Sequence, residues 1–153
     1  MDAERLAEFD KAYLKIAYIW SSLSRAVRRK VGCIVVKDNM IISDGFNGTP
    51  TGFDNQCEYR ELSGRPGEYL TKPEVLHSES NAITKLAKST QSSEGATMYI
   101  TISPCIECAK LIIQAGIKRV VYGEVYRNLN GVDLLKKASI ITEEISYSWW
   151  RDR

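Results

Sequence analysis

Apolar side chains recur at helical spacing near the start of the chain, at Leu6, Phe9, Tyr13, Ile16, Ala17 and Trp20, which predicts a helix over residues 4–24. Val31-Gly32-Cys33-Ile34-Val35-Val36 is a continuous, β-branched run, the pattern of a strand buried on both faces. Lys37-Asp38-Asn39 reads as a tight turn into a second strand, Met40 to Asn47, so the two should form a hairpin. From Gly48 to Pro73 turn residues dominate, and the segment is expected to be largely loop. Connections of that length in compact domains are often lids or binding loops. The pattern then alternates: helix His77 to Lys88, strand Thr97 to Thr101, helix Pro104 to Ala115, strand Lys118 to Gly123, helix Val132 to Ala138 and strand Ile140 to Ile145. The ending Tyr147-Ser148-Trp149-Trp150 is aromatic for a tail and is expected to pack on something, such as another subunit.

Strands alternating with helices imply a sheet covered on both faces, and the opening hairpin makes that sheet mixed. The expected fold class is therefore α/β, a three-layer α/β/α sandwich around about five strands. No repeat, low-complexity tract or composition break divides the chain, so residues 1–153 are read as one domain.

Composition narrows the partners. The chain is 44% hydrophobic and 26% charged, with a formal net charge of +2. That is too mild for the strongly basic face of a nucleic-acid binder, and it suits a small anionic ligand. No apolar run approaches the roughly 18 residues of a membrane span. The acidic start, Met1-Asp2-Ala3-Glu4-Arg5, is unlike a signal peptide, which makes the cytoplasm the expected compartment. Cysteines there stay reduced, so four of them point to metal binding or catalysis rather than disulfides. His77 is the only histidine, which excludes any site built from several.

Chemistry concentrates in two short motifs. His77-Ser78-Glu79 stands at the start of one helix, and Pro104-Cys105-Ile106-Glu107-Cys108 at the start of another, directly after a strand. Proline suits a first helical position, where its missing N–H is no loss. The helix N-terminus favours negative charge, so both cysteines should ionise readily. Two thiolates three residues apart can reach one ion, and an imidazole can supply a third donor. Zinc accepts that mixture, and three protein ligands leave a fourth position open, the mark of a catalytic site. Residues two apart on a regular helix point in nearly opposite directions. His77 and Glu79 can share a site only if His77 precedes regular helix geometry. A carboxylate beside the open position can take a proton from water and pass it on. His-x-Glu alone arises by chance, and a lone Cys-x-x-Cys could be a redox pair or half of a structural zinc site. No second Cys-x-x-Cys completes such a site, and the two motifs together, in this order, are far more specific.

His-x-Glu followed by Pro-Cys-x-x-Cys is the signature of zinc deaminases, and the chain resembles the deoxycytidylate (dCMP) deaminase family from about Tyr13 to Ile145. The resemblance is carried by Arg29-Lys30-Val31-Gly32-Cys33-Ile34-Val35, Gly45-Phe46-Asn47-Gly48-Thr49-Pro50, His77-Ser78-Glu79-Ser80-Asn81-Ala82-Ile83 and Gly95 to Cys105. It implies a cytidine deaminase-like fold, with one catalytic Zn2+ on His77, Cys105 and Cys108 and Glu79 as proton shuttle. It implies conversion of dCMP to dUMP and ammonia, the Ser103 backbone carbonyl accepting from the exocyclic amine and Asn47 contacting the sugar. Tyr126 joins the expected substrate contacts, and Arg25, Arg28, Arg29 and Arg127 are candidate partners of the 5′-phosphate. The family's regulation implies dCTP as activator and dTTP with Mg2+ as inhibitor, Gly45, Asn47, Gly48 and Arg28 as effector contacts, and a homohexamer. Read without the resemblance, the glycines flanking Asn47 merely permit a tight turn after a strand.

The chain departs from the pattern at Ser78, where alanine is commoner, and it has no spare histidine for the second, structural zinc of some relatives. Cys33 reads as a small buried hydrophobe, and Cys57 as a vestige of such a site or a packing residue. A deaminase of bases inside nucleic acid, such as the tRNA adenosine deaminases, is the competing enzyme class. Its members are typically shorter before His-x-Glu and more basic. A riboflavin-pathway or free-cytidine deaminase is a further alternative. A non-catalytic, zinc-stapled binding module is the competing class without activity; Glu79 and the missing fourth ligand speak against it.

Overall fold

The computed structural model describes residues 1–60, 69–146 and 148. Helix α1 (Ala3–Ser21) opens on Asp2, whose carboxylate caps the helix by accepting from the Arg5 N–H. Strands β1 (Gly32–Lys37) and β2 (Met40–Phe46) form the expected hairpin. Its two-residue turn, Asp38-Asn39, has both φ angles positive, at 50° and 58°, the twist that suits a two-residue hairpin. The excursion expected to be loop contains a second hairpin, β3 (Glu58–Arg60) paired with β4 (Tyr69–Thr71). Three-residue strands are too short to leave a periodic pattern, so the sequence conceals them. Helix α2 (Ser78–Leu86), β5 (Thr97–Ile102), α3 (Ile106–Gln114), β6 (Arg119–Glu124), α4 (Asn130–Lys137) and β7 (Ile141–Glu144) complete the order. The aromatic ending expected to pack on a neighbour lies outside the described residues, Ser148 excepted.

The main sheet runs β2-β1-β5-β6-β7. β1 pairs antiparallel with both β2 and β5, whereas β5, β6 and β7 are mutually parallel. The mixed five-strand sheet is the expected one, with helices on both faces. Alternation along each strand explains the layers. Ile34, Val36, Tyr99 and Val121 face α1, where they meet Tyr13, Leu14 and Ala17. Cys33, Val35, Met98, Ile100 and Val120 face the other way, onto Ala82, Leu86, Ala109, Ile112 and Leu135 of α2, α3 and α4. Cys33 is fully buried there, and burial pushes its thiol up, as a core hydrophobe requires. No helix among the described residues is long and apolar enough to cross a membrane.

β5 sits where the sheet changes from antiparallel to parallel pairing. The carboxyl end of a strand at such a switch opens a crevice, the usual ligand position in α/β folds. The Pro104-Cys105 turn leaves β5 there, and α3 begins beyond it. Gly48 and Leu76 exchange both backbone hydrogen bonds, at 3.1 and 2.8 Å, which brings the end of the excursion beside β2 and delivers His77 to the same crevice.

Candidate metal centre and active-site cleft

His77 is the N-cap of α2, with φ −72° and ψ 158°, so it precedes regular helix geometry and can share a site with Glu79. Cys105 is likewise the N-cap of α3, with extended backbone, and its sulfur accepts from the Cys108 N–H at 3.5 Å. Pro104 does not occupy the first helical position; it precedes the cap and is fully buried. Its role is to close the β5 turn against Gly131 of α4, where an added Cβ would strike the Pro104 carbonyl.

The donors converge. His77 Nδ1 lies 3.3 Å from Cys108 Sγ and 3.6 Å from Cys105 Sγ, and the three donor atoms all fall within 4.8 Å of one another. Tetrahedral zinc with sulfur at about 2.3 Å and nitrogen at about 2.0–2.1 Å separates its donors by roughly 3.5–3.8 Å. The group therefore fits a zinc ion, with Nδ1 as the imidazole donor. Cys105 is the acidic thiol of the pair, drawn down to about 3 by hydrogen bonds from Cys108 and His77. Cys108 is pushed up, first by sharing its hydrogen with Cys105 and then by burial. His77 is raised, chiefly by its hydrogen bond to Cys105.

Glu79 is buried beside the three donors and belongs to a cleft of about 290 Å³ that also exposes His77 and Cys105. The size falls just below the usual range for small-ligand pockets, about 300–1,000 Å³. Ser78, fully buried, donates its hydroxyl to Glu79 Oε1 at 2.6 Å. Ser103 also lines the cleft, its hydroxyl oxygen accepting from the Tyr126 N–H at 2.8 Å. Asn47 reaches the cleft with its amide already engaged: Oδ1 accepts from the Val31 N–H and Nδ2 donates to the Arg29 carbonyl, both at 2.8 Å. One amide hydrogen is left for a ligand.

The arginines separate by their surroundings. Arg28, Arg29 and Arg127 line the cleft, whereas Arg25 is not among its lining residues. Arg29 is paired with Glu124 at 2.7 Å. Arg28 donates only to the neutral Thr71 hydroxyl, at 3.3 Å, and Arg127 lies over the Tyr126 ring at 5.3 Å; neither pairs with a carboxylate among the described residues. The reading of the Gly45–Gly48 glycines as turn residues is not supported, because neither has a positive φ. Gly45 is required by close approach instead: a Cβ there would strike the Ser78 carbonyl of α2. Cys57 is buried in the cleft lining and joins no cluster of metal-ligating side chains among the described residues. Sequence reasoning missed Glu58, a buried carboxylate of the same lining that no motif marks.

The family model described as the cytidine and deoxycytidylate deaminase zinc-binding region matches residues 7–124. The chain belongs to this deaminase family. Deoxycytidylate deaminase of Enterobacteria phage T4 is 37% identical over 83% of this chain and 84% of its own. The human deoxycytidylate deaminase is 38% identical over 75% of this chain and 64% of its own. The crystal structure of the dCMP deaminase of cyanophage S-TIM5 in complex with dCMP and dUMP superposes with a TM-score of 0.83 and 42% identity, covering 95% of this chain and 99% of that one. The family is described as zinc-binding, and His77, Cys105 and Cys108 are the group among the described residues that could hold a metal ion.

Proposed function

We propose that this chain catalyses the hydrolytic deamination of dCMP to dUMP and ammonia, supplying dUMP for thymidylate synthesis. The observation that carries the reading is the convergence of three zinc-type donors beside the buried Glu79, in a cleft that Arg28 and Arg127 also line. His77, Cys105 and Cys108 would hold Zn2+, which when bound supplies Lewis acidity and lowers the pKa of water to near neutrality. Glu79 takes a proton from the attacking water and places it on ring nitrogen 3 of cytosine. Water oxygen bonds to carbon 4, and the carbon–nitrogen bond to the exocyclic amine breaks. Glu79 delivers the second proton of the water to the departing amine, so that ammonia leaves and the ring keeps a carbonyl. The Ser103 carbonyl orients the amine, and the remaining Asn47 amide hydrogen meets the sugar. Arg28 and Arg127 are the phosphate partners that the surroundings favour, since Arg29 is already neutralised by Glu124.

The reading extends to activation by dCTP and inhibition by dTTP with Mg2+ in a homohexamer. Its support is the resemblance carried by the Gly45-Phe46-Asn47-Gly48 motif. Ammonia release is measured from dCMP, dCTP, deoxycytidine and an RNA hairpin, each with and without dTTP, and particle mass by light scattering. Turnover of dCMP suppressed by dTTP is expected. Turnover of the RNA alone, or of nothing, overturns the nucleotide assignment.

A further inference from the structure

The segment of the cleft lining that carries Arg28 is held by the small hairpin, whose Glu58 and Thr71 line the same cleft. Glu58 and Thr71 are direct cross-strand partners in the β3–β4 ladder. Side chains of directly opposed residues stand on the same face of a ladder. On that face they hold two consecutive residues of the segment between α1 and β1. Both oxygens of the Glu58 carboxylate accept from the Val27 N–H, at 2.7 and 3.0 Å, and the Thr71 hydroxyl accepts from Arg28 Nη1 at 3.3 Å. Glu58 is buried, yet no cation is paired with it among the described residues; its bonded partner is the backbone of the arginine-bearing segment. A buried carboxylate is retained at a cost unless its hydrogen bonds do something the fold needs. The rest of the segment is fixed from the other side: Ser24 donates to the Asn47 carbonyl at 2.8 Å, and the Asn47 amide takes Arg29 and Val31.

We propose that Glu58 is a positioning residue for anion recognition, acting through Val27 to hold Arg28 over the cleft where the substrate's phosphate arrives. The inference rests on the dCMP reading and deepens it, by making the β3–β4 hairpin the element that sets phosphate affinity. The Glu58 carboxylate is engaged by the Val27 N–H, so its loss should weaken binding and spare the chemical step.

Steady-state kinetics on dCMP, with inorganic phosphate as competing inhibitor, test this. Glu58→Ala is expected to raise KM about tenfold and the inhibition constant of phosphate by a similar factor, with kcat within twofold of the parent. Glu58→Gln retains a carbonyl oxygen for the Val27 N–H and should restore both constants to within about threefold. Thr71→Val, a milder change that keeps the hairpin, should raise both constants about threefold. A fall in kcat with KM unmoved, an unchanged phosphate inhibition constant in both Glu58→Ala and Thr71→Val, or Glu58→Gln behaving like Glu58→Ala overturns the inference. A parent chain that turns over no dCMP overturns the functional reading and this inference with it. An active parent with unmoved variants overturns this inference alone.

Discussion

The Ser78 hydroxyl, buried completely, donates to Glu79 Oε1 over 2.6 Å, fixing one oxygen of the carboxylate proposed as the proton shuttle. Ser78→Ala should therefore lower kcat about tenfold, toward the low end of the roughly 1.5–3 kcal/mol of a hydrogen bond to a charged group. KM and zinc content should stay within twofold. Unchanged kcat, or kcat and zinc falling together, would show that the hydroxyl supports packing rather than the carboxylate.

Glu79→Gln removes the proton acceptor without touching the three donors. Turnover should fall about 10²–10⁴-fold, the usual worth of general acid–base catalysis. Zinc measured by mass spectrometry should remain at one ion per chain. A variant that deaminates normally would remove Glu79 from the mechanism.

His77→Ala and Cys105→Ser each delete one donor. Metal content should drop, and with it the stabilisation that a bound ion confers, about 2.7 kcal/mol at a free concentration of 100 Kd. For a chain of this size that is a Tm lower by roughly 5–10 °C. Chelation of the parent should produce the same shift, and a chelator without effect on Tm would contradict the assignment of these donors.

The cleft arginines should not be equivalent. Arg28→Ala and Arg127→Ala each remove a cation that no carboxylate among the described residues neutralises, and KM for dCMP should rise about tenfold. Arg29→Ala removes one already paired with Glu124 and should cost threefold or less. Equal losses at all three positions would mean that the ion pair opens when the substrate binds.

Under α1, Asp10 accepts from Arg119 at 2.8 and 2.6 Å and from the Tyr99 hydroxyl at 2.7 Å, and Arg119 also reaches Glu143 at 2.6 Å. Asp10→Ala leaves the Arg119 charge buried with a half-exposed partner only, and should destabilise by about 3–5 kcal/mol in denaturant titrations. Burial and the bond to Asp10 raise the Tyr99 hydroxyl well above its ordinary value of 10.0. A raised group contributes stability that is complete below its unfolded value and lost as pH climbs toward its folded one. Tm should thus fall as pH rises beyond 10, and Tyr99→Phe should flatten that limb. An identical alkaline limb in the variant would acquit Tyr99.

The metal-type donors and Glu79 were legible because each motif is local: three or four residues of one helix start declare the chemistry, and the tertiary fold only had to bring two starts together. The layered sheet was legible for the same reason, since six-residue apolar strands and amphipathic helices carry their periodicity in sequence. Glu58 and the β3–β4 hairpin were hidden, because three-residue strands have no period and an ordinary glutamate gives no sign that its carboxylate will meet a backbone N–H 31 residues away. The Asp10–Arg119 pair, 109 residues apart, is hidden likewise. Pro104 misled in a smaller way, since its fixed φ serves the turn before the cap as well as it would serve a first helical turn.

Gly45 leaves no room between β2 and the first turn of α2, so the backbone that carries His77 and Glu79 is locked to the sheet. The two walls of the cleft are thus different kinds of object. One is welded scaffold, in which a single methyl group would displace the reacting groups. The other is a stretch of irregular chain held by a few polar clasps. On the proposed reading, single substitutions on the clasped wall would retune which phosphate ester is bound, while the welded wall keeps His77 and Glu79 in place.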